Sequence, residues 1–215
     1  MYQRLIGWAF DRFYREFAWT YDTVAAAVSQ GYWPAWRRAA LPYLTGSVLE
    51  LGCGTGALFT TMNYVLPTPP IAIDASDAMV AITGRRLRKA GYPVRVAQAY
   101  SQHLPFADAS FDTVLATFPA PYIADPATLA ELLRVLRPNG SVVIVLSAVF
   151  ERVGWLERAI GLAYWLTLQR PPDSAPQAEL RSFLGQRLAE HGFVVDERWE
   201  AAPGGSVHLI LAKPQ

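Results

Sequence analysis

Apolar and polar positions change period along this chain in a regular way. From residue 47 onward, short runs rich in Val, Ile and Leu alternate with longer segments whose apolar residues recur at about every third or fourth position. The short runs suit buried strands and the longer segments suit amphipathic helices, so the alternation predicts βαβ units and a parallel sheet. Strands are expected at 47–51, 70–74, 94–97, 112–116 and 141–147, with helices near 57–65, 77–90 and 126–137 between them.

The element ends carry their own chemistry. Asp125 can accept a backbone N–H at the start of a helix whose first residue, Pro126, needs no partner for a donor it lacks. Arg137-Pro138-Asn139-Gly140 then supplies a turn before the apolar run that follows. Ser174 and Gln177 have capping-box spacing, which predicts a helix running to about His191 and stopping at Gly192. Two further strands, 193–199 and 206–212, flank Ala201-Ala202-Pro203-Gly204-Gly205 and should form an antiparallel hairpin.

A length of 215 residues fits one folded unit on a prior of roughly 100–200 residues per domain. We expect an N-terminal helical cap at 1–45, a ligand-binding core at 46–147, a cap insertion at 148–173, and a helix and hairpin at 174–215 that complete the sheet. An apolar fraction of 52% supports a buried parallel sheet. Nineteen basic against eighteen acidic side chains leave a net charge of +1, too little to attract a nucleic acid backbone. The single cysteine, Cys53, excludes an intrachain disulfide framework and a Cys-rich zinc site; a cytoplasmic location is the expectation. Charged residues interrupt the first 20 positions, unlike a secretory signal. Glu157 and Arg158 break the longest apolar stretch, 153–168, which is also shorter than the roughly 20 residues needed to cross a bilayer. Peripheral membrane contact through that stretch is the remaining membrane reading.

The strongest motif is Val48-Leu49-Glu50-Leu51-Gly52-Cys53-Gly54-Thr55-Gly56, a strand that runs into a glycine-rich turn and then a helix. Glycines reach left-handed backbone angles and carry no Cβ, so a ligand can approach bare N–H groups there. One strand later, Ile71-Ala72-Ile73-Asp74 brings a carboxylate to the carboxyl edge of the sheet, where α/β folds bind ligands. Asp74 suits a free ribose diol and opposes a 2′-phosphate, although Asp also favours turns for its own sake. Gly52-x-Gly54-x-x-Ala57 equally satisfies a relaxed dinucleotide fingerprint, but Gly56 comes one place early and the chain lacks a second mononucleotide half.

These residues, with Asp74-Ala75-Ser76, Leu104-Pro105-Phe106, Ser110-Phe111-Asp112 and Leu136-Arg137-Pro138-Asn139-Gly140 in that order, resemble the class I S-adenosylmethionine-dependent methyltransferases. The similarity is greatest to the branch that includes the ubiquinone and menaquinone biosynthesis methyltransferases. It implies a Rossmann-like α/β fold: seven strands, mostly parallel, an antiparallel C-terminal hairpin, helices on both faces and a helical cap. It also implies S-adenosylmethionine as cofactor, with Gly52, Cys53, Gly54 and Gly56 around its methionine part, Glu50 steadying the loop and the methionine ammonium, and Asp74 with Ala75 at the ribose. Where relatives often carry Gly-Asp-Ala before Leu-Pro-Phe, this chain has Ala99-Tyr100-Ser101-Gln102-His103, so the adenine falls to Tyr100 and Ser101 without the usual carboxylate. Thr117 closes the implied cofactor set.

The acceptor side is less specific. Thr117-Phe118-Pro119-Ala120-Pro121-Tyr122 partly echoes the Asn-Pro-Pro-Tyr motif of amino-methylating relatives, but Phe118 replaces the amide residue and Ala120 separates the prolines, so a nucleobase or glutamine acceptor is not expected. Phe118, Tyr122, Trp155 and Tyr21 are the substrate or lid candidates, Tyr21-Asp22 resembling a pair that relatives fold over the cofactor. Asp22 would serve equally as a helix cap. Trp33, Trp36, Trp155, Tyr164 and Trp165 gather aromatic surface in the two cap segments; core packing is the favoured reading of any one of them, while their clustering suggests a fairly apolar acceptor such as a lipid, quinone precursor or phenol. His103 is the base candidate among three histidines, of which His191 and His208 read as structural. No metal is expected. The rival readings are a cofactor-binding scaffold without turnover and an NAD-dependent oxidoreductase. The sequence selects no oligomeric state.

Overall fold

The computed structural model describes residues 26–27, 29–150 and 183–215. Tyr21, Trp155, Tyr164, Trp165, the apolar stretch 153–168 and the Ser174/Gln177 capping box lie outside those residues. Seven strands form one sheet: β1 (Val48–Leu51), β2 (Ile71–Asp74), β3 (Val96–Gln98), β4 (Phe111–Thr117), β5 (Leu136–Phe150), β6 (Phe193–Ala202) and β7 (Gly205–Pro214). Their order across the sheet is β3-β2-β1-β4-β5-β7-β6. The first five pair in parallel, and β7 runs antiparallel to both β5 and β6. The described helices are α1 (Trp33–Arg38), α2 (Ala57–Val65), α3 (Asp77–Lys89), α4 (Pro126–Val135) and α5 (Phe183–Glu190).

Side chains alternate across a strand, so each central strand feeds two cores. Leu49, Leu51, Val114, Ala116, Val142 and Ile144 pack with α4 and α5, through residues such as Leu132 and Leu188. Val48, Leu115, Val143 and Val145 pack with α1, α2 and α3 on the other face, through Trp36, Phe59 and Leu87. The tryptophan of the N-terminal segment at position 36 is therefore a core residue, 4% exposed. Its Nε1 donates to Pro203 O at 3.0 Å, which ties α1 to the hairpin turn.

Several ends follow the expected chemistry. Asp125 accepts from Ala127 N at 2.9 Å and Ser76 accepts from Met79 N, capping α4 and α3. The hairpin closes more tightly than the five-residue loop read from the sequence, with only Pro203 and Gly204 between β6 and β7 and Gly204 at φ +77°. The turn at 137–140 is real but sits inside β5: Leu136 pairs with Phe111 and Ser141 with Thr113, so these residues loop out opposite Asp112, with Asn139 at φ +68°. Strand β3 starts later than expected, at Val96, and β5 continues to Phe150, past its expected end at 147.

The Leu104-Pro105-Phe106 segment owes its position to one side chain. Arg134 of α4 donates to Leu104 O at 3.0 Å, Phe106 O at 2.7 Å and Asp108 Oδ1 at 2.8 Å, while Glu131 accepts from Leu104 N. The guanidinium fork makes several such bonds at once, which fixes the crossover from β3 to β4 and so the edge on which the site is built.

Candidate functional site

The glycine turn follows β1 at the carboxyl edge of the sheet, between β2 and β4. Gly52, Gly54 and Gly56 all have positive φ, +69°, +55° and +73°. They serve different ends. A Cβ on Gly56 would meet Thr83 at 2.6 Å, and one on Gly52 would meet the Tyr122 hydroxyl at 2.7 Å. A Cβ on Gly54 would meet nothing within 4 Å, so bareness here keeps a surface open instead of relieving a clash. The turn is held by backbone bonds, with Gly52 N and Cys53 N both donating to Ile73 O of β2 and Gly56 N to Cys53 O within the turn.

Asp74 binds this turn directly. Its Oδ2 accepts from Gly54 N at 2.8 Å and its Oδ1 from Ser76 N at 2.9 Å. Burial raises the carboxyl pKa and these two N–H groups oppose the rise. Each oxygen has a lone pair left for a ribose hydroxyl. The turn-forming role of Asp74 is thus observed, and its remaining lone pairs are compatible with the ligand-holding reading.

Glu50 is 1% exposed and its Oε2 has no hydrogen-bond partner among the described residues. Burial pushes its pKa up to about 8; the Arg37 charge pulls it down and the Asp74 charge adds to the rise. Arg37, buried on α1, is a site residue that the motifs do not reveal; the available signal is its position one helical turn after Trp33. A buried carboxyl with an unsatisfied oxygen beside a glycine turn suits a ligand that brings a cation, and the open surface at Gly54 gives that ligand room. The residues present fit S-adenosylmethionine in both respects.

On the β4 side, Thr117 is the last residue to pair with β5, opposite Val145. Phe118 follows at φ +48°, held by its N–H to Val145 O at 2.7 Å. Its ring stacks on Trp33 with centroids 4.1 Å apart and planes 25° apart. The Arg37 guanidinium lies 6.0 Å from the Trp33 ring, and Trp33 Nε1 is buried without a hydrogen-bond partner among the described residues. Tyr122, in a short 3-10 helix, donates its hydroxyl to Leu51 O at 3.2 Å and so leans against the glycine turn; burial raises its pKa.

The remaining expected residues are distributed around this edge. Tyr100 is 61% exposed, just past β3. Ser101 is buried, and its hydroxyl is engaged with Thr128 at 2.8 Å. The Ala75 carbonyl accepts from Gln98 at 3.0 Å. The Cys53 side chain faces the core beside Thr83, and burial raises its pKa, which leaves the backbone of this residue and not its thiol at the loop. His103 is exposed, with Glu131 of α4 as an electrostatic neighbour. Among the described residues, no group of three or more His, Cys, Asp and Glu side chains is placed to hold a metal ion. No helix there is long and apolar enough to cross a membrane.

A methyltransferase-domain family model matches residues 48–140. A demethylmenaquinone methyltransferase of Thermus thermophilus is 32% identical over 73% of this chain and 72% of its own length. The ubiquinone/menaquinone biosynthesis C-methyltransferase of Geobacter sulfurreducens is 32% identical over 58% of this chain, and the match spans about half (52%) of that relative. Among solved structures, a SAM-dependent methyltransferase of Thermotoga maritima, described as a possible histamine N-methyltransferase, superposes with a TM-score of 0.62 over 95% of this chain and 99% of its own, at 18% identity. The geranyl diphosphate C-methyltransferase of Streptomyces coelicolor shares the fold with a TM-score of 0.61 over 83% of this chain and 77% of its own, at 12% identity.

Proposed function

We propose, on the premise that this chain belongs to the class I S-adenosylmethionine-dependent methyltransferases, that its acceptor is a small apolar aromatic, a quinol or phenol of the demethylmenaquinone kind. The observation that carries this reading is the Trp33–Phe118 stack, an aromatic wall held in a strained backbone immediately after β4. Left-handed backbone at a bulky residue costs about 1–3 kcal/mol and persists only where its surroundings enforce it. A flat apolar acceptor is the substrate that such a wall fits. The names of the curated relatives point the same way.

Bound S-adenosylmethionine supplies an electrophilic methyl group that needs little further activation. The protein's part is mainly to hold the acceptor in line and keep water away. In this reading Asp74 takes the ribose, Gly54 leaves the cofactor room, Glu50 faces the methionine ammonium, and Thr117 and Ala75 complete the cofactor edge. Ser101, its hydroxyl already used, meets the adenine through its backbone, and Tyr100 offers a ring face or a hydroxyl. Phe118 and Trp33 wall the acceptor, with Tyr122 nearby against the glycine turn; Tyr21 and Trp155 stay candidates from the sequence, outside the described residues.

The test is methyl transfer from labelled S-adenosylmethionine to a reduced, short-chain demethylmenaquinol, run beside a nucleobase and a glutamine-containing peptide. Label on the quinol alone is expected. Label on an amine alone would sink the acceptor assignment, and cofactor binding without transfer to any acceptor would favour the scaffold reading.

A further inference from the structure

The first two crossovers of the sheet end in one place. Helix α2 returns from the carboxyl end of β1 to the amino end of β2, and α3 from the carboxyl end of β2 to the amino end of β3. Their last turns and the links 66–70 and 90–95 therefore gather at the amino edge, opposite the glycine turn. Contacts join the pieces. Arg95 Nη1 donates to Pro69 O at 3.4 Å and Tyr92 N to Leu87 O at 3.0 Å, and Arg88 and Val94 both border Gly84. Leu66 and Tyr92 pack on the core that holds Leu87, which fixes both links to the helices.

This corner is basic, in a chain whose net charge is only +1. Residues 78–107 contain Arg85, Arg86, Arg88, Lys89 and Arg95 without an acidic residue, and residues 57–73 contain no acidic residue either. Arg85, Arg88 and Lys89 lie one helical turn apart on the exposed face of α3, and Arg95 is exposed in the link that follows. Cations in a last turn favour the helix by themselves. Elsewhere on this surface, however, arginines are neutralised: Arg134, Arg137, Arg187 and Arg198 each meet a carboxylate. Among the described residues, Arg85, Arg88, Lys89 and Arg95 form no ion pair. Apolar tips accompany them. Tyr64 is 81% exposed and Val65 50% at the end of α2, and Val94 is 43% exposed before β3.

We propose that this corner docks on an anionic lipid bilayer, where Arg85, Arg88, Lys89 and Arg95 meet headgroup phosphates while Tyr64, Val65 and Val94 enter the interfacial layer. Charge alone would serve any polyanion. The company of the cations selects the bilayer: its interface accepts an amphipathic ring and short apolar side chains at shallow depth, beside cations held at the phosphates. A track for single-stranded nucleic acid stacks successive bases on successive rings, and among the described residues Tyr64 is the one well-exposed ring at this corner. Docking here is independent of which acceptor is methylated, because the corner and the site lie at opposite edges of the sheet. It tethers the enzyme with its site turned away from the bilayer, so it changes where the enzyme sits and leaves turnover of a soluble acceptor unaltered.

The experiment is flotation of the whole chain with vesicles of phosphatidylcholine alone and with about 30% phosphatidylglycerol, at about 50 mM and about 300 mM salt. Binding is expected to the anionic vesicles only, and to fade at the higher salt. A cation near such a surface contributes about fivefold to partitioning, so the triple variant Arg85→Gln, Arg88→Gln, Lys89→Gln should bind about 100-fold more weakly. Tyr64→Ser, which keeps every charge, should bind severalfold more weakly at low salt. Both variants should keep wild-type affinity for S-adenosylmethionine in calorimetry, which separates a lost contact from a lost fold; if the triple variant loses that affinity, Tyr64→Ser and the salt dependence decide. Equal binding to neutral vesicles, binding unchanged in both variants, or no vesicle binding at low salt would overturn the proposal. So would retention on a single-stranded oligonucleotide without vesicle binding, which would assign the corner to nucleic acid. None of these readouts involves an acceptor, so their failure and that of the quinol assignment are told apart.

Discussion

Gly54 and Phe118 each follow a central strand at the same sheet edge and share a left-handed backbone, with φ of +55° and +48°. At Gly54 the conformation costs little and nothing lies within 4 Å of the missing Cβ. At Phe118 a bulky ring adopts it, held by a backbone bond to Val145 and a stack on Trp33. The glycine turn therefore takes its shape largely from residue type, through a motif that one neighbouring strand anchors at Ile73 and Asp74. The acceptor side takes its shape from contacts between distant segments and stores strain in doing so. The first should be common to all proteins with this motif, and the second is where an acceptor preference can be built.

The sharpest way to break this comparison is within the motif itself. Gly56→Ala places a methyl against Thr83 at a left-handed position and should cost about 3 kcal/mol, lowering Tm by roughly 6–12 °C in a thermal melt. Gly54→Ala meets only the backbone penalty, about 1–2 kcal/mol, yet should weaken S-adenosylmethionine binding by about tenfold or more in calorimetry, because its methyl enters the cofactor's space. If both variants lose stability equally and Gly54→Ala keeps its affinity, Gly54 is not the ligand-facing glycine.

Glu50 gives the next effect. Its folded pKa of about 8 exceeds the ordinary 4.5, so between these values the folded state holds a proton that the unfolded state has released. Stability should fall as pH rises through that window and level off above it, by an amount on the order of a few kcal/mol. Glu50→Gln removes the titration: melts at pH 6 and pH 9 should differ less than in wild type, with the variant's gain greatest at pH 9. An unchanged pH dependence would mean that Arg37 already holds Glu50 ionised. Phe118→Gly relieves backbone strain but removes a half-buried ring packed on the Trp36 core, so a net loss of about 1–2 kcal/mol is expected. Acceptor KM should also rise by about tenfold with cofactor affinity unchanged; a shift in cofactor affinity instead would move Phe118 to the other side of the site.

Legibility in the sequence follows the same division. Helix α2, strand β2, the Asp125 cap and the C-terminal hairpin all rest on local patterns, and the structure has them where those patterns put them. The extension of β5 to Phe150 was not readable, because residues 148–150 are held as strand by β7, more than fifty positions away in the chain. The edge strand β3, paired only with β2, shifted by two residues at its start for lack of a second neighbour to fix it. The glycine turn and Asp74 were legible as motifs because their chemistry demands specific residue types, and the structure brings the two into contact. Arg37 was not, because an Arg at that position is ordinary until packing buries it.

By itself, then, the sequence determined the parallel sheet, the glycine turn with its acidic partner, and through the family resemblance the cofactor, since backbone freedom, capping and apolar period act over a few residues. Tertiary structure alone decided how the two tryptophans of one short helix are used: Trp36 lies inside the core, while Trp33 is partly buried against that core and stacks on Phe118. It alone set a carboxylate beside a guanidinium under the loop. Those outcomes depend on burial and on contacts between remote segments, and neither exists until the chain has folded.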